Sequence, residues 1–159
     1  MRISIEGIDK SGKTTLAKTL HKNLTSGGMD VGLAPRFLDF YSGTTTDYDK
    51  LFDKLPMEEI VKLEIGFRDA RDIYMKSENR SNWILDRGDL TLFANSIAHL
   101  MEPPKRRSLN EAYEEFSIIL GGDRNRLSDD VYLFLDLAPK EKFLVKEPRD
   151  QLESQTRGV

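Results

Sequence analysis

The stretch ISIEGIDKSGKTT, residues 3–15, constrains this chain more than any other. Ile3 and Ile5 alternate with polar neighbours in a short strand-like run, Gly7 opens a turn, and Gly12-Lys13-Thr14-Thr15 lead into a helical pattern. Strand, loop and helix in that order form a phosphate-binding loop, G-x-x-x-x-G-K-[ST], with Gly7, Gly12, Lys13 and Thr14 at its fixed positions. Glycines let the backbone bend until successive N–H groups face phosphate oxygens, and the helix N-terminus adds a favourable dipole. Lys13 is a flexible point charge for β and γ phosphates, and a threonine hydroxyl at position 14 suits Mg²⁺. The bland alternative is a glycine turn with a solvated lysine, which has no need of a strand before it and a helix after it.

Downstream, strand-like and helix-like patterns alternate. Leu16, Leu20 and Leu24 keep helical spacing until Gly27-Gly28, and residues 29–35 read as a short strand broken by Pro35. Residues 36–56 lack a clean period and predict a loop with a helix near 47–54. A long helix follows from Met57 to Lys76, with Ile60, Leu63, Phe67, Ala70 and Tyr74 on its apolar face. Residues 82–86 form a buried strand ending in Asp86, and 89–101 return to helix. Lys105, Arg106 and Arg107 read as a solvated connector, Ser108 and Glu111 as a capping box for a helix to about Leu120, and residues 131–137 as an apolar strand covered on both faces. The pattern predicts an α/β fold: a parallel sheet flanked by helices in a three-layer sandwich of the P-loop NTPase type. In such sheets ligands sit beyond the carboxyl ends of the strands. That rule selects Glu6, Arg36, Asp86 and Arg87, with Asp86 suited to Mg²⁺ and the arginines to phosphate.

Composition narrows the partners. A chain of 159 residues suits one domain, and a net charge of -3 with 32% charged residues gives no broad basic field for nucleic acid. The absence of cysteine rules out disulfides and thiolate chemistry, and His21 and His99 read as surface or packing residues rather than a metal pair. No apolar run approaches the ~20 residues of a membrane span, and the first strand begins too near Met1 for a signal peptide. The expectation is a soluble cytoplasmic protein without membrane or nucleic-acid partners.

IEGIDKSGKTT, FRDAR at 67–71, LDRGDLTLFA at 85–94 and VYLFLDLAP at 131–139 together resemble the thymidylate kinases, in order and spacing, over most of the chain. The resemblance implies an ATP-dependent nucleoside monophosphate kinase using Mg²⁺, with a pyrimidine deoxynucleotide, first of all dTMP, as acceptor. It implies that Lys13 and the loop amides of Gly7, Lys10, Ser11, Gly12 and Thr15 hold the ATP phosphates, with Thr14 on the metal. By the same resemblance Asp9 would assist Mg²⁺ and the acceptor sugar, Phe67 would stack on the base, Arg71 would bond its carbonyl edge, and Arg87 would clamp the acceptor phosphate with help from Arg36. The segment at about 146–158 takes the place of a mobile lid, and either Lys10 or Arg149 approaches the transferring phosphate. Positioning and charge carry phosphoryl transfer, which needs little covalent chemistry from the protein.

Departures from the family pattern bear on the acceptor. Asn95 stands where the family has a sugar-crowding tyrosine, and Leu92 where a polar residue often reads the base, so another pyrimidine nucleotide is the alternative acceptor. Family chains continue with a further strand and helix, so the ending at Val159 predicts either a short variant that forms a homodimer or an incomplete chain. A nucleotide-binding protein without kinase activity is the alternative of another class.

Overall fold

The computed structural model describes residues 1–103, 105–121 and 129–136. It contains β1 (Arg2–Gly7), α1 (Lys13–Ser26), β2 (Gly32–Leu33), a 3₁₀ turn (Phe37–Phe40), α2 (Thr45–Asp49), α3 (Met57–Ser77), β3 (Trp83–Asp86), α4 (Asp89–Met101), α5 (Leu109–Leu120) and β4 (Val131–Leu135). The four strands form one sheet in the order β2-β3-β1-β4, and every pair is parallel. The three-layer α/β fold expected from the sequence is therefore the one found.

Side chains alternate across β1 and β3. Ile5 and Ile84 point to one face, where they pack with Ala17 of α1 and Val31. Trp83 and Leu85 occupy the other face with Met75 of α3 and Ala34. Beyond them α3, α4 and α5 share a second core of Val61, Ile65, Leu92, Leu100 and Phe116, in which the Phe93 and Phe116 rings meet edge-on at 5.0 Å. Helix α5 is fixed at its start by the expected capping box: the Ser108 N–H donates to Glu111 Oε2 at 2.8 Å, and the Ser108 hydroxyl oxygen accepts from the Glu111 N–H.

Four details depart from the sequence expectation. The helix in the 36–56 stretch starts at Thr45, ahead of the 47–54 window. The buried face of α3 is rotated from the one the apolar spacing marks: Tyr74 is exposed, whereas Glu64, Arg68 and Arg71 are inside. Polar partners on α4 and its N-terminal turn make that burial tolerable, as the site geometry shows. The basic connector is not simply solvated, because Lys105 and Arg107 both pair with Glu58 of α3 and Arg107 also pairs with Glu115. The lysine partner, with Arg107, holds the Glu58 carboxyl down to about 2. Finally, β4 pairs only with β1 among the described strands and lies at the sheet edge, where Phe134 is 66% exposed. Its apolar run is thus not covered on both faces by described residues.

Phe116 is fully buried at the centre of the helical core. Phe116→Ala should cost about 3–5 kcal/mol, read as a lowered urea midpoint at unchanged slope; a loss under ~1 kcal/mol would contradict this packing. Glu58 supplies a second test through the sign of its shift. Its folded value lies below the unfolded one, so its pairs stabilise above about pH 4.5 and fade as the pH falls toward 2. Glu58→Gln should shallow the loss of stability across that window, and an unchanged acid limb would contradict the pairing.

Candidate functional site

β1 ends in Gly7 at φ +141°, where a Cβ would also collide with the Leu135 carbonyl oxygen of the neighbouring strand. The chain then loops through Lys10, itself left-handed at φ 63°, to Gly12 at φ 91°, and α1 starts at Lys13. The loop thus closes over the positive end of a 14-residue helix. The Lys13 side chain lies along it, its ammonium donating to the Ile8 carbonyl and to Ser11 Oγ at 3.4 Å. Burial, and then the positive charge of Arg87, pull Lys13 below the ordinary lysine value, while Asp9, Asp86 and Glu6 act against that shift.

The second strand end lies alongside. Thr14 Oγ1 donates to Asp86 Oδ2 at 2.5 Å, joining the first turn of α1 to the end of β3. Arg87 follows in a left-handed conformation at φ 69°, held by its N–H on the Ile5 carbonyl at 3.1 Å, and its guanidinium pairs with Asp9. Beneath both, the buried Glu6 carboxylate accepts from the Ser4 hydroxyl at 2.5 Å, the Gly88 N–H at 3.0 Å and the Thr91 hydroxyl. A carboxylate with three donors in a dry setting fixes its surroundings, so β1 and the β3–α4 turn are held in one register.

These strand ends open on a cavity of about 690 Å³. Asp9, Lys10, Gly12, Lys13 and Thr14 line it from the loop, and Arg36, Asp86 and Arg87 from the other strand ends. Phe67 and Asn95 line its far part, so it gathers residues from β1 to α4. Gly7, Ser11 and Thr15 shape the loop without lining the cavity. Arg36 is tied to Asp39 by a 2.8 Å ion pair, through which hydrogen bonding raises its value further. Arg149 and the segment 146–158 lie outside the described residues.

Arg71 is placed differently. It is fully buried, does not line the cavity, and donates to the Arg87 carbonyl at 2.8 Å and to Asp89 Oδ1 at 3.3 Å. Its guanidinium carbon lies 3.9 Å from the centroid of the Phe37 ring, a cation–π contact. Arg68 pairs with the same Asp89 at 3.0 Å. Two guanidiniums on one buried carboxylate keep the start of α4, and with it Arg87, in position.

The far part of the cavity also holds residues not singled out from the sequence. Glu64 accepts from the Tyr48 hydroxyl at 3.2 Å and the Ser96 hydroxyl at 2.8 Å, and His99 Nε2 lies 3.5 Å from its Oε1. Hydrogen bonding to Glu64 raises His99 against the opposing effect of burial, and burial followed by the Glu64 charge raises the Tyr48 phenol. His99 therefore lines the cavity instead of serving only as surface or packing. The available signal was helical spacing: Glu64 precedes Phe67 by three residues, and Asn95 precedes His99 by four.

Arg71→Met would leave Asp89 with one of these guanidinium partners and the Arg87 carbonyl without its donor. The expected loss is about 3 kcal/mol, measurable by urea unfolding, and a change below ~1 kcal/mol would contradict this role.

No protein-family model and no curated protein matches the chain. Among solved structures it is similar to a thymidylate kinase from Candida albicans, at a TM-score of 0.60 and 21% identity, over 92% of this chain and 67% of that one. It is also similar to deoxyadenosine kinase from M. mycoides solved with dCMP and dCDP, at 0.57 and 20%, over 91% and 68% of the two chains. A second structure of that kinase, with bound dATP, gives 0.56 and 16% over 96% and 74%. The four-stranded parallel sheet, its flanking helices and the phosphate-binding loop thus give this chain the fold of the P-loop nucleoside and nucleotide kinases.

Proposed function

We propose that this protein transfers the γ-phosphoryl group of ATP to a nucleoside monophosphate, with a pyrimidine deoxynucleotide as the acceptor class and dTMP the acceptor that the sequence resemblance names. The observation that carries this reading is the spread of charge along one cavity. Lys13 and the start of α1 serve a triphosphate at one side, while Arg36 and Arg87 add cations toward the aromatic part, more than a triphosphate site alone requires. A second phosphate accounts for them. The structural neighbours support the reading in kind, since the M. mycoides kinase was solved with nucleotides and the C. albicans protein is a thymidylate kinase.

In this reading the loop amides and Lys13 hold the donor, Phe67 lies against the acceptor base, and Arg87 exchanges its Asp9 partner for the acceptor phosphate. An acceptor phosphate oxygen attacks the γ-phosphorus, the bond to the β–γ bridging oxygen breaks, and ADP leaves. Either Lys10 or Arg149 supplies charge to the moving group. Thr14 and Asp86 offer two hard oxygen ligands 2.5 Å apart at the phosphate side, a set that fits Mg²⁺ coordinated mostly by phosphates and water, with Asp9 close to Arg87 in reserve. Held by Thr14 and Asp86, Mg²⁺ would supply positive charge against the β and γ phosphates. Among the described residues no cluster of three acidic or histidine ligands competes as a metal site.

A nucleoside acceptor is the second reading, favoured by the likeness to deoxyadenosine kinase and by Asp9 lining the cavity as a carboxylate able to take a hydroxyl proton. A coupled assay of ADP formation across monophosphates and nucleosides separates the two. Lys13→Ala should lower kcat by roughly 10²–10³, and Arg87→Ala should lower kcat/KM for a monophosphate by a similar factor while leaving a nucleoside little changed. ADP formation that no acceptor stimulates, together with an inert Lys13→Ala, would falsify the kinase reading.

A further inference from the structure

The proposed acceptor site ends in a group of side chains whose hydrogen-bonding capacity is unequal. Phe52, Phe67 and Leu92 give this end its apolar surface, and Phe52 and His99 stack obliquely with centroids 5.0 Å apart. Apolar walls accept any flat ring, so the polar groups at the edge choose among rings. The principal one is the carboxylate of Glu64, whose residue is only 8% exposed.

The protons near Glu64 are already directed at it. Tyr48 and Ser96 donate their hydroxyl hydrogens to its two oxygens, and His99 Nε2 faces Oε1. His99 Nδ1 is buried and has no hydrogen-bond partner among the described residues, with Glu102 the nearest carboxylate at 3.6 Å. Neither imidazole nitrogen is thereby offered to a ring in the cavity. A carboxylate has about four lone-pair positions, so acceptor capacity remains on Glu64, and the Tyr48 oxygen adds more. Among the described residues at this end, the amide of Asn95 is the free donor. Arg71, the guanidinium that the sequence resemblance assigns to a base carbonyl, is buried on Asp89 and the Arg87 carbonyl and does not line the cavity.

We propose that Glu64 makes this end select a nucleobase carrying an exocyclic amino group, as cytosine and adenine do, over thymine and uracil. The amino group donates to the Glu64 carboxylate, and the ring nitrogen beside it accepts from the Asn95 amide. Thymine presents a carbonyl oxygen at the same place, which would face the Glu64 carboxylate in a dry site with no donor there to satisfy it. The inference rests on the reading of this cavity as an acceptor site, and it changes the preferred acceptor within that reading from dTMP to an amino-bearing nucleotide. Cytosine and adenine share the recognising chemistry, and ring size separates them.

The test is a calorimetric titration of the full chain with dCMP, dAMP, dTMP and dUMP, run beside the turnover assay. The better of dCMP and dAMP should bind at least about tenfold more tightly than dTMP and dUMP, because the mismatched carbonyl strands a buried acceptor. Glu64→Gln keeps the side-chain size and adds an N–H donor, so it should bring that ratio to near one or reverse it. A wild-type ratio near one, a wild-type preference for dTMP, a ratio unchanged in Glu64→Gln, or no binding of any of the four would overturn the inference. Should the variant not fold, the wild-type ratio decides alone. Selective binding without turnover would sink the kinase reading and leave the base selectivity standing, whereas turnover without selectivity would do the reverse.

Discussion

The Glu6 carboxylate, 1% exposed between the sheet and α4, accepts from Ser4, from the backbone of Gly88 and from Thr91. One oxygen pair thereby joins the end of β1, which launches the phosphate-binding loop, to the turn after β3, which carries Arg87. The Ser4 and Gly88 donors are buried with their acceptor, so a shift of either strand end would leave buried polar groups unpaired. The distance between Lys13 and Arg87 is consequently set by the interior of the protein. Burial, and after it the charge of Arg87, lowers Lys13, and the carboxylates of Asp9, Asp86 and Glu6 oppose that shift.

A second buried ionic layer stands behind the first. Asp89, fully buried at the start of α4, receives Arg68 and Arg71 from α3, and Arg71 reaches the carbonyl of left-handed Arg87. Such pairs add little stability relative to an apolar core, but removing one member leaves an uncompensated charge. They act here as geometric constraints: α3, α4 and the β3 end move together or not at all. The same helices carry Phe67, Glu64, Asn95 and His99 toward the far part of the cavity, so its shape and the position of Arg87 share one support.

The fold and the loop between β1 and α1 were legible in the sequence because their signals are local. Gly7 and Gly12 are needed for backbone geometry within a few residues, the Ser108–Glu111 box caps its own helix, and Asp86-Arg87 sit directly at a strand end. Beyond Phe67 and Asn95, the far part of the site was not legible, because Tyr48, Glu64, Ser96 and His99 come from three helices and meet only after these pack. Apolar spacing misplaced the inner face of α3 for the same reason. A buried arginine counts as polar in any periodic pattern, and only its carboxylate on another element explains why it lies inside. The edge position of β4 likewise depends on sheet order, which an apolar run does not encode.

The proposed function requires a single cavity to hold two nucleotides end to end, phosphate against phosphate. Calorimetric titration with a bisubstrate compound, adenosine joined through five phosphates to a deoxynucleoside, tests it most directly. One site per chain is expected, with binding roughly 10²-fold tighter than ATP alone because the second contact becomes intramolecular, and with displacement of both ATP and the monophosphate. Affinity no greater than that of ATP, with the monophosphate still able to bind, would contradict it.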